Sequence, residues 1–157
     1  GHAIIAGAEL QIEWAPMDNL DLFGAVSYID SRITNLPVTL INIAPKGSDL
    51  PLSPTTEGNV GGRYHQEIGE YSAFAQGVFK WTGARFSSLV IANRQRLPSY
   101  TQVDLSAGIG KGPWQATVFV DNLFDTLGLL SSASEESVLR FVPTRPRTIG
   151  FRLSFDY

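Results

Sequence analysis

The sequence contains no cysteine, and only 17% of its 157 residues are charged. Without cysteine the chain has neither a disulfide framework nor thiolate metal sites. The net charge of -3 argues against the clustered basic surface that nucleic-acid binding requires, so we predict no nucleic-acid partner. No apolar run approaches the roughly 18 residues of a transmembrane helix, which excludes a helical membrane protein.

Motifs of catalysis and metal binding are also missing. The sequence has no GxSxG, HExxH or Walker pattern, and His2 and His65 have no partner at ligand spacing. Gly108, Gly110 and Gly112 imitate a phosphate-binding loop, but no helix is predicted after them. We therefore predict no enzymatic activity, no metal site and no cofactor.

The sequence does contain a recurrent alternation of apolar and polar residues. The last ten residues, TIGFRLSFDY, place an apolar residue at every second position, which predicts an extended strand with one apolar face. The same pattern occurs six times earlier, so we predict an all-β, antiparallel, up-and-down meander of about seven strands. The predicted strands are residues 4–14, 20–28, 57–64, 71–81, 100–109, 114–121 and 148–157.

The two faces of these strands differ in composition. One face, called the apolar face below, carries no charge; it includes Leu10, Leu105, Val118 and Phe151. The opposite, mixed face combines charged residues with glycine, serine and a few phenylalanines, which fits a hydrated or hydrogen-bonded interior. The charged residues of interest on the mixed face are Glu9, Glu13, Arg63, Lys80, Asp104 and Arg152.

Short and long connections alternate between the predicted strands. The short ones are residues 15–19, 65–70 and 110–113, and the long ones are residues 29–56, 82–99 and 122–147. Outer-membrane barrels have tight periplasmic turns and long extracellular loops. Trp and Tyr residues also gather at strand ends, as expected where side chains meet a bilayer interface. The chain is therefore predicted to be part of a transmembrane outer-membrane β-barrel with lipid against its apolar face.

Three stretches near the end resemble, in order and spacing, the TonB-dependent outer-membrane receptors: LPSYTQVDLSAGI, VDNLFD and PRTIGFRLSFDY. One departure is that a glycine often precedes the Pro-Arg of that family, where this chain has Thr144 and Arg145. The last strand also resembles the C-terminal signal that the barrel assembly machinery reads in outer-membrane proteins. The residues that carry these resemblances are Asn122, Leu123, Phe124, Asp125, Pro146, Arg147, Phe151, Leu153, Phe155 and Tyr157.

The resemblance implies TonB-dependent uptake of a scarce nutrient, with an iron–siderophore complex as the expected cargo, across the bacterial outer membrane. Members of the family have an N-terminal plug, a segment that the energy-transducing TonB-type partner grips, and a barrel of about twenty-two strands. Seven strands cannot close such a barrel, and open strand edges are costly in lipid. Residues 1–157 are therefore expected to be the C-terminal portion of the receptor barrel, without the plug and the N-terminal strands.

Two groups of residues are candidates for a site. Arg85, Asn93, Arg94 and Arg96 lie in one long loop, where arginine could contact an anionic ferric chelate or lipopolysaccharide phosphates; an ordinary solvated loop is the other interpretation. Asn122 and Asp125 end a strand before another long loop, and such residues commonly hydrogen-bond a turning backbone, which favours a structural role.

Two other functions compete with receptor-mediated uptake. A passive porin-like channel or a structural outer-membrane barrel would share the strand pattern, and upstream sequence with further hairpins but no plug would favour it. A soluble β-sandwich binding module would instead pack Leu10, Val118 and Phe151 into a dry core between two sheets, with Glu9 and Arg152 in water.

Overall fold

The computed structural model describes residues 1–37, 44–135 and 138–156, with the backbone alone for residues 133–135 and 138. Tyr157, the last residue of the predicted assembly signal, is outside the described residues.

Seven strands form one antiparallel sheet, in which their spatial order is their order along the chain. Every neighbouring pair is antiparallel, which confirms the predicted all-β class and the seven-stranded meander. No helix among the described residues is long and apolar enough to span a bilayer. The strands of this sheet are β1 (His2–Met17), β2 (Leu20–Asn35), β3 (Thr56–Ile68), β4 (Tyr71–Thr82), β7 (Tyr100–Lys111), β8 (Trp114–Asp121) and β11 (Thr148–Phe155).

The second strand continues beyond its predicted end at Tyr28, because the polarity of its two faces inverts there. From Ile29 to Asn35 the backbone still pairs with β1. The charged Asp30 and Arg32 lie on the apolar side, opposite Ala6 and Ile4. The apolar Ile33 lies on the mixed side and is 3% exposed. The loop backbone packs against this end of β2, since the Ile33 N–H donates to the carbonyl of Ser48 at 3.0 Å. A strand whose apolar side switches in this way breaks the alternation by which sequence reasoning located it.

Two small hairpins lie inside long connections for which the alternation pattern predicts no strand. One pairs β5 (Arg85–Phe86) with β6 (Arg96–Leu97), around a 3-10 turn at Ile91–Asn93. The other pairs β9 (Leu129–Glu135) with β10 (Val138–Pro143). The first is too short, and the Ser-rich β9 too weakly alternating, for the pattern to reveal them.

The short connections are tight turns that bring consecutive strands into direct register. Gly69, between β3 and β4, has φ +65°, and Gly112, between β7 and β8, has φ +56°. This left-handed conformation is the one that glycine adopts without steric cost. Pairing begins at once beside each turn, with Ile68 opposite Tyr71 and Lys111 opposite Trp114.

The sheet is a single layer. Leu10 and Val118 are each 56% exposed, and Phe151 is 65% exposed. The dry core of a β-sandwich is therefore absent from the described part of the chain, and the sandwich interpretation is wrong. Buried apolar residues instead lie near the long loops: Ile33, Ala44 and Leu97. The apolar face of the sheet is not covered by a second layer among the described residues.

Candidate functional site

The mixed face of the sheet carries an ion pair between two neighbouring strands. Lys80 Nζ on β4 contacts the Asp104 Oδ2 carboxylate oxygen on β7. The other carboxylate oxygen, Asp104 Oδ1, accepts a hydrogen bond from the backbone N–H of Asn122 at 2.8 Å. Both oxygens of Asp104 are therefore engaged, and this side chain links the centre of the sheet to the start of the last long loop.

Other charged groups on the mixed face line an open hollow. Glu9, Glu57 and Lys80, together with amide side chains, border a volume of about 530 Å³ along β1 to β4. Nearer the short turns, His65 Nδ1 lies 3.4 Å from Asp21 Oδ2. The acidic and basic groups of the mixed face are thus spread over several strands.

Asn122 is the centre of a dense hydrogen-bond network where β8 enters its long loop. Its side chain is buried, at 3% exposure, and donates from Nδ2 to the carbonyls of Thr126 at 3.1 Å and Arg145 at 3.0 Å. Its Oδ1 accepts from the N–H of Thr126 at 2.9 Å. The backbone at Asn122 has φ +53°, a conformation that asparagine tolerates better than most residues.

Asp125 and Thr144 join the two ends of the same loop. Asp125 Oδ1 accepts from the N–H of Arg147 at 2.8 Å, across the base of the loop. Thr144 Oγ1 accepts from the N–H of Gly128 at 3.0 Å and donates to the carbonyl of Thr126 at 3.2 Å. In the same segment, Leu123 donates its N–H to the carbonyl of Val103. Phe124 is 70% exposed.

The four residues proposed for ligand contact fall into different environments. Arg85 is only 7% exposed, and its Nη2 donates to the carbonyls of Leu129 at 2.9 Å and Leu130 at 3.2 Å. Arg94 stacks on Phe86, with 3.6 Å between guanidinium and ring centroid, and its Nη2 lies 3.6 Å from Asp49 Oδ2. These two arginines hold loop segments together.

Asn93 and Arg96 are exposed to solvent. Arg96 borders, with Arg85, a polar pocket of about 230 Å³. Two carboxylates missed by sequence reasoning, Asp30 and Asp49, lie on the same pocket. The sequence pattern does not indicate Asp30, because this residue follows the predicted end of a strand at Tyr28. It does not indicate Asp49 either, because Asp49 meets Arg94 only when the loops fold. Of the four candidates, Arg96 and Asn93 remain available to a ligand.

Two tryptophans lie at strand ends next to the short turns. Trp14 and Trp114 lie beside the first and third short turns and are 61% and 53% exposed. The Trp114 ring lies 4.7 Å from that of Phe155, in the last strand. Phe155 and Leu153 are 49% and 58% exposed on the same face of β11. The described part of the predicted assembly signal is therefore displayed on the apolar face.

Comparison with known proteins identifies relatives of this fold. The family model described as "TonB dependent receptor-like, beta-barrel" matches residues 1–123. The ferric yersiniabactin uptake receptor FyuA from Yersinia pestis is similar in structure with a TM-score of 0.85 at 20% identity, over 99% of this chain and 24% of that chain.

Two further solved structures share the fold. The siderophore receptor PiuA from Acinetobacter baumannii matches with a TM-score of 0.76 and 17% identity, over 99% of this chain and 22% of that one. The unliganded ferric citrate transporter FecA also has a TM-score of 0.76 and 17% identity, over 98% of this chain and 24% of that one. The chain thus spans about a quarter of the length of these structures.

Proposed function

Because this chain belongs to the TonB-dependent receptor-like β-barrel family, we propose that it forms part of the wall of a bacterial outer-membrane receptor for a scarce nutrient. The observation that carries the proposal is the family match over a single-layer sheet whose apolar face is open and carries charge only near strand ends, at Asp30, Arg32 and Lys111. Leu10, Val118 and Phe151 on that face have no second protein layer among the described residues. Hydrocarbon is the solvent that makes such a face stable in a barrel wall.

The role of this chain is transport and not catalysis, and its proposed cargo is an iron–siderophore complex. The similar structures are a ferric yersiniabactin uptake receptor, a siderophore receptor and a ferric citrate transporter. The exposed side chains of Asn93 and Arg96, on the long-loop side of the sheet, offer hydrogen bonds and positive charge to an anionic ferric chelate. Ferric chelates that carry carboxylate or catecholate groups fit this chemistry.

Further strands outside this chain are proposed to complete the barrel. Within the described residues, β1 pairs only with β2, and β11 pairs only with β8. Unpaired backbone groups facing lipid cost several kcal/mol each, so both edges need partners in the membrane. A plug inside that barrel and a TonB-type protein in the periplasm would supply gating and energy. The barrel assembly machinery would recognise the apolar face of β11.

Uptake by cells that have the complete receptor as their only route for a given ferric siderophore tests this function. The expected result is accumulation of labelled iron that stops when the TonB-type protein is deleted, while entry of a small sugar through general porins continues. Accumulation that is equal with and without the TonB-type protein would contradict the proposal and would point to a passive channel.

A further inference from the structure

Three phenylalanine rings on the mixed face each lie over a glycine of the neighbouring strand. In each case the two residues are directly opposite each other in the antiparallel register. The pairs, called the Phe–Gly pairs below, are Phe23–Gly61 across β2 and β3, Phe74–Gly108 across β4 and β7, and Phe119–Gly150 across β8 and β11.

Each ring fills the space that a side chain on the opposite residue would need. A methyl group placed on Gly61 would lie 2.5 Å from Phe23 Cζ, well inside van der Waals contact. Methyl groups on Gly108 and Gly150 would meet the rings of Phe74 and Phe119 even more closely. The three phenylalanines are accordingly half-buried, although they lie on an otherwise open face.

The positions of the Phe–Gly pairs follow the connections between strands. All three occur across strand pairs that are joined by long loops, and the phenylalanine is always on the strand that enters the loop. On the mixed face of the described residues, none occurs across β1–β2, β3–β4 or β7–β8, which are joined by tight turns. A related contact, Trp81 over Gly58, does cross β3 and β4, but it lies on the apolar face.

Tight turns and long loops differ in how well they determine register. A two-residue hairpin turn fixes which residues face each other, whereas a loop of many residues leaves the pairing free to slip. A slip of one residue is opposed by the exchange of the apolar and mixed faces. A slip of two residues keeps both faces, so the hydrophobic pattern alone does not exclude it.

We propose that the Phe–Gly pairs fix the register of the strand pairs that long loops connect. A slip of two residues in either direction would place Phe23 opposite Asn59 or Arg63 in place of Gly61. The corresponding slips would place Phe119 opposite Thr148 or Arg152. For Phe74, one of the two slips meets Gly110, so that pair opposes a slip in one direction only.

Two guanidinium groups hold rings of these pairs against the sheet. Arg63 lies over Phe74 with 4.0 Å between its guanidinium carbon and the ring centroid, and Arg152 lies 5.7 Å from the Phe119 centroid. Cation–π attraction of this kind favours a ring that lies flat on its glycine, with the charged group on the side of the lumen. In the Phe74–Gly108 and Phe119–Gly150 pairs, a glycine, a phenylalanine ring and a guanidinium group thus form one cross-strand contact.

Disulfide trapping in the complete receptor tests the proposal, and the absence of cysteine from this chain makes it practicable. Cysteines at Ala25 and Asn59 are opposite each other in the native register. Cysteines at Ala25 and Glu57, or at Ser27 and Asn59, become opposite only after a slip of two residues. In Phe23→Ala we expect the ratio of slipped to native crosslink to rise about fivefold, the effect of losing a strong cross-strand pair.

The matched control is Phe79→Ala, which removes a ring from the apolar face of β4. It should leave the β2–β3 ratio unchanged, and crosslinking of cysteines at Arg63 and Gln76 across the tight-turn pair should stay native in both variants. An unchanged β2–β3 ratio in Phe23→Ala, or an equal rise in Phe79→Ala, would overturn the proposal.

If Phe23→Ala yields no folded receptor, an exchange at the third pair decides. The nearest neighbours of a side chain added at Gly150 are all atoms of the Phe119 ring, whereas a side chain at Gly61 would also lie 2.8 Å from the Gly77 carbonyl oxygen. Phe119→Gly combined with Gly150→Phe moves the ring to the opposite strand, and cysteines at Asp121 and Thr148 report the native register. Folded receptor with the native crosslink supports the proposal, and failure to fold or a slipped crosslink overturns it. The inference rests on the barrel proposed above, but its measurement involves neither cargo nor TonB-type protein, so its failure is distinguishable from failure of the proposed function.

Discussion

Asp104 and Asn122 are joined by a hydrogen bond of 2.8 Å from the Asn122 N–H to Asp104 Oδ1, although they are 18 residues apart. The two residues belong to adjacent strands, and their contact fixes the point at which β8 leaves the sheet for its long loop. Since Asp104 also contacts Lys80, one carboxylate determines the positions of three strands. The stability of the loop base should therefore depend more on the hydrogen bond than on the ion pair.

Substitution of Asp104 separates these two contributions. Asp104→Asn keeps an oxygen for the Asn122 N–H and loses the charge, so we expect a loss of about 0–1 kcal/mol, typical of a partly exposed ion pair. Asp104→Ala also leaves a part-buried N–H without its acceptor and should cost about 1–3 kcal/mol more. Chemical unfolding of the complete receptor in detergent measures both. Equal losses in the two variants would show that the hydrogen bond contributes nothing.

Asn122 is expected to tolerate glycine better than alanine. Both substitutions remove its three side-chain hydrogen bonds, but alanine must also adopt φ +53°. The left-handed conformation costs alanine about 1–2 kcal/mol that glycine does not incur. Limited proteolysis of residues 122–147 should accordingly be fastest in Asn122→Ala, slower in Asn122→Gly and slowest in the parent chain. A reversed order of the two variants would contradict the role assigned to the backbone.

Arg85 and Arg96 should have opposite phenotypes. Arg85→Ala removes the hydrogen bonds to the carbonyls of Leu129 and Leu130 and should expose the β9–β10 hairpin to protease. Arg96→Ala should leave the proteolytic pattern unchanged and weaken binding of an anionic ferric chelate by up to about fivefold, the size of an exposed charge contribution. Titration of the complete receptor with the chelate measures the binding. Loss of binding in Arg85→Ala with an intact hairpin would contradict this division.

Much of the sheet could be predicted because one apolar and one polar face impose a period of two on a strand. The alternation alone places Leu10 and Phe151 on the apolar face, where they lie opposite Val26 and Val118. The end of β2 could not be predicted, because Ile33 is buried by a loop on the mixed face and the alternation inverts. The burial of Arg85 was equally inaccessible, since its acceptors are the carbonyls of residues 44 and 45 positions further along the chain.

The hydrogen bonds of Asn122 could be predicted only in part. Asn and Asp at the end of a strand indicate a turn on chemical grounds alone. That the buried amide of Asn122 bonds to Arg145, 23 residues away, and that Asp104 is its partner, depend on how the loop closes. Sequence spacing carries no information on that closure.

Contact between the apolar face and hydrocarbon is tested most directly at two neighbouring residues of β7. Leu105 lies on the apolar face and Ser106 on the mixed face, both near the middle of the strand. In refolding of the complete receptor into lipid vesicles, Leu105→Arg should lower the free energy of folding by about 2–4 kcal/mol, the cost of arginine at mid-bilayer depth. Ser106→Arg should change it by less than about 1 kcal/mol. Equal losses, or a larger loss for Ser106→Arg, would contradict the account.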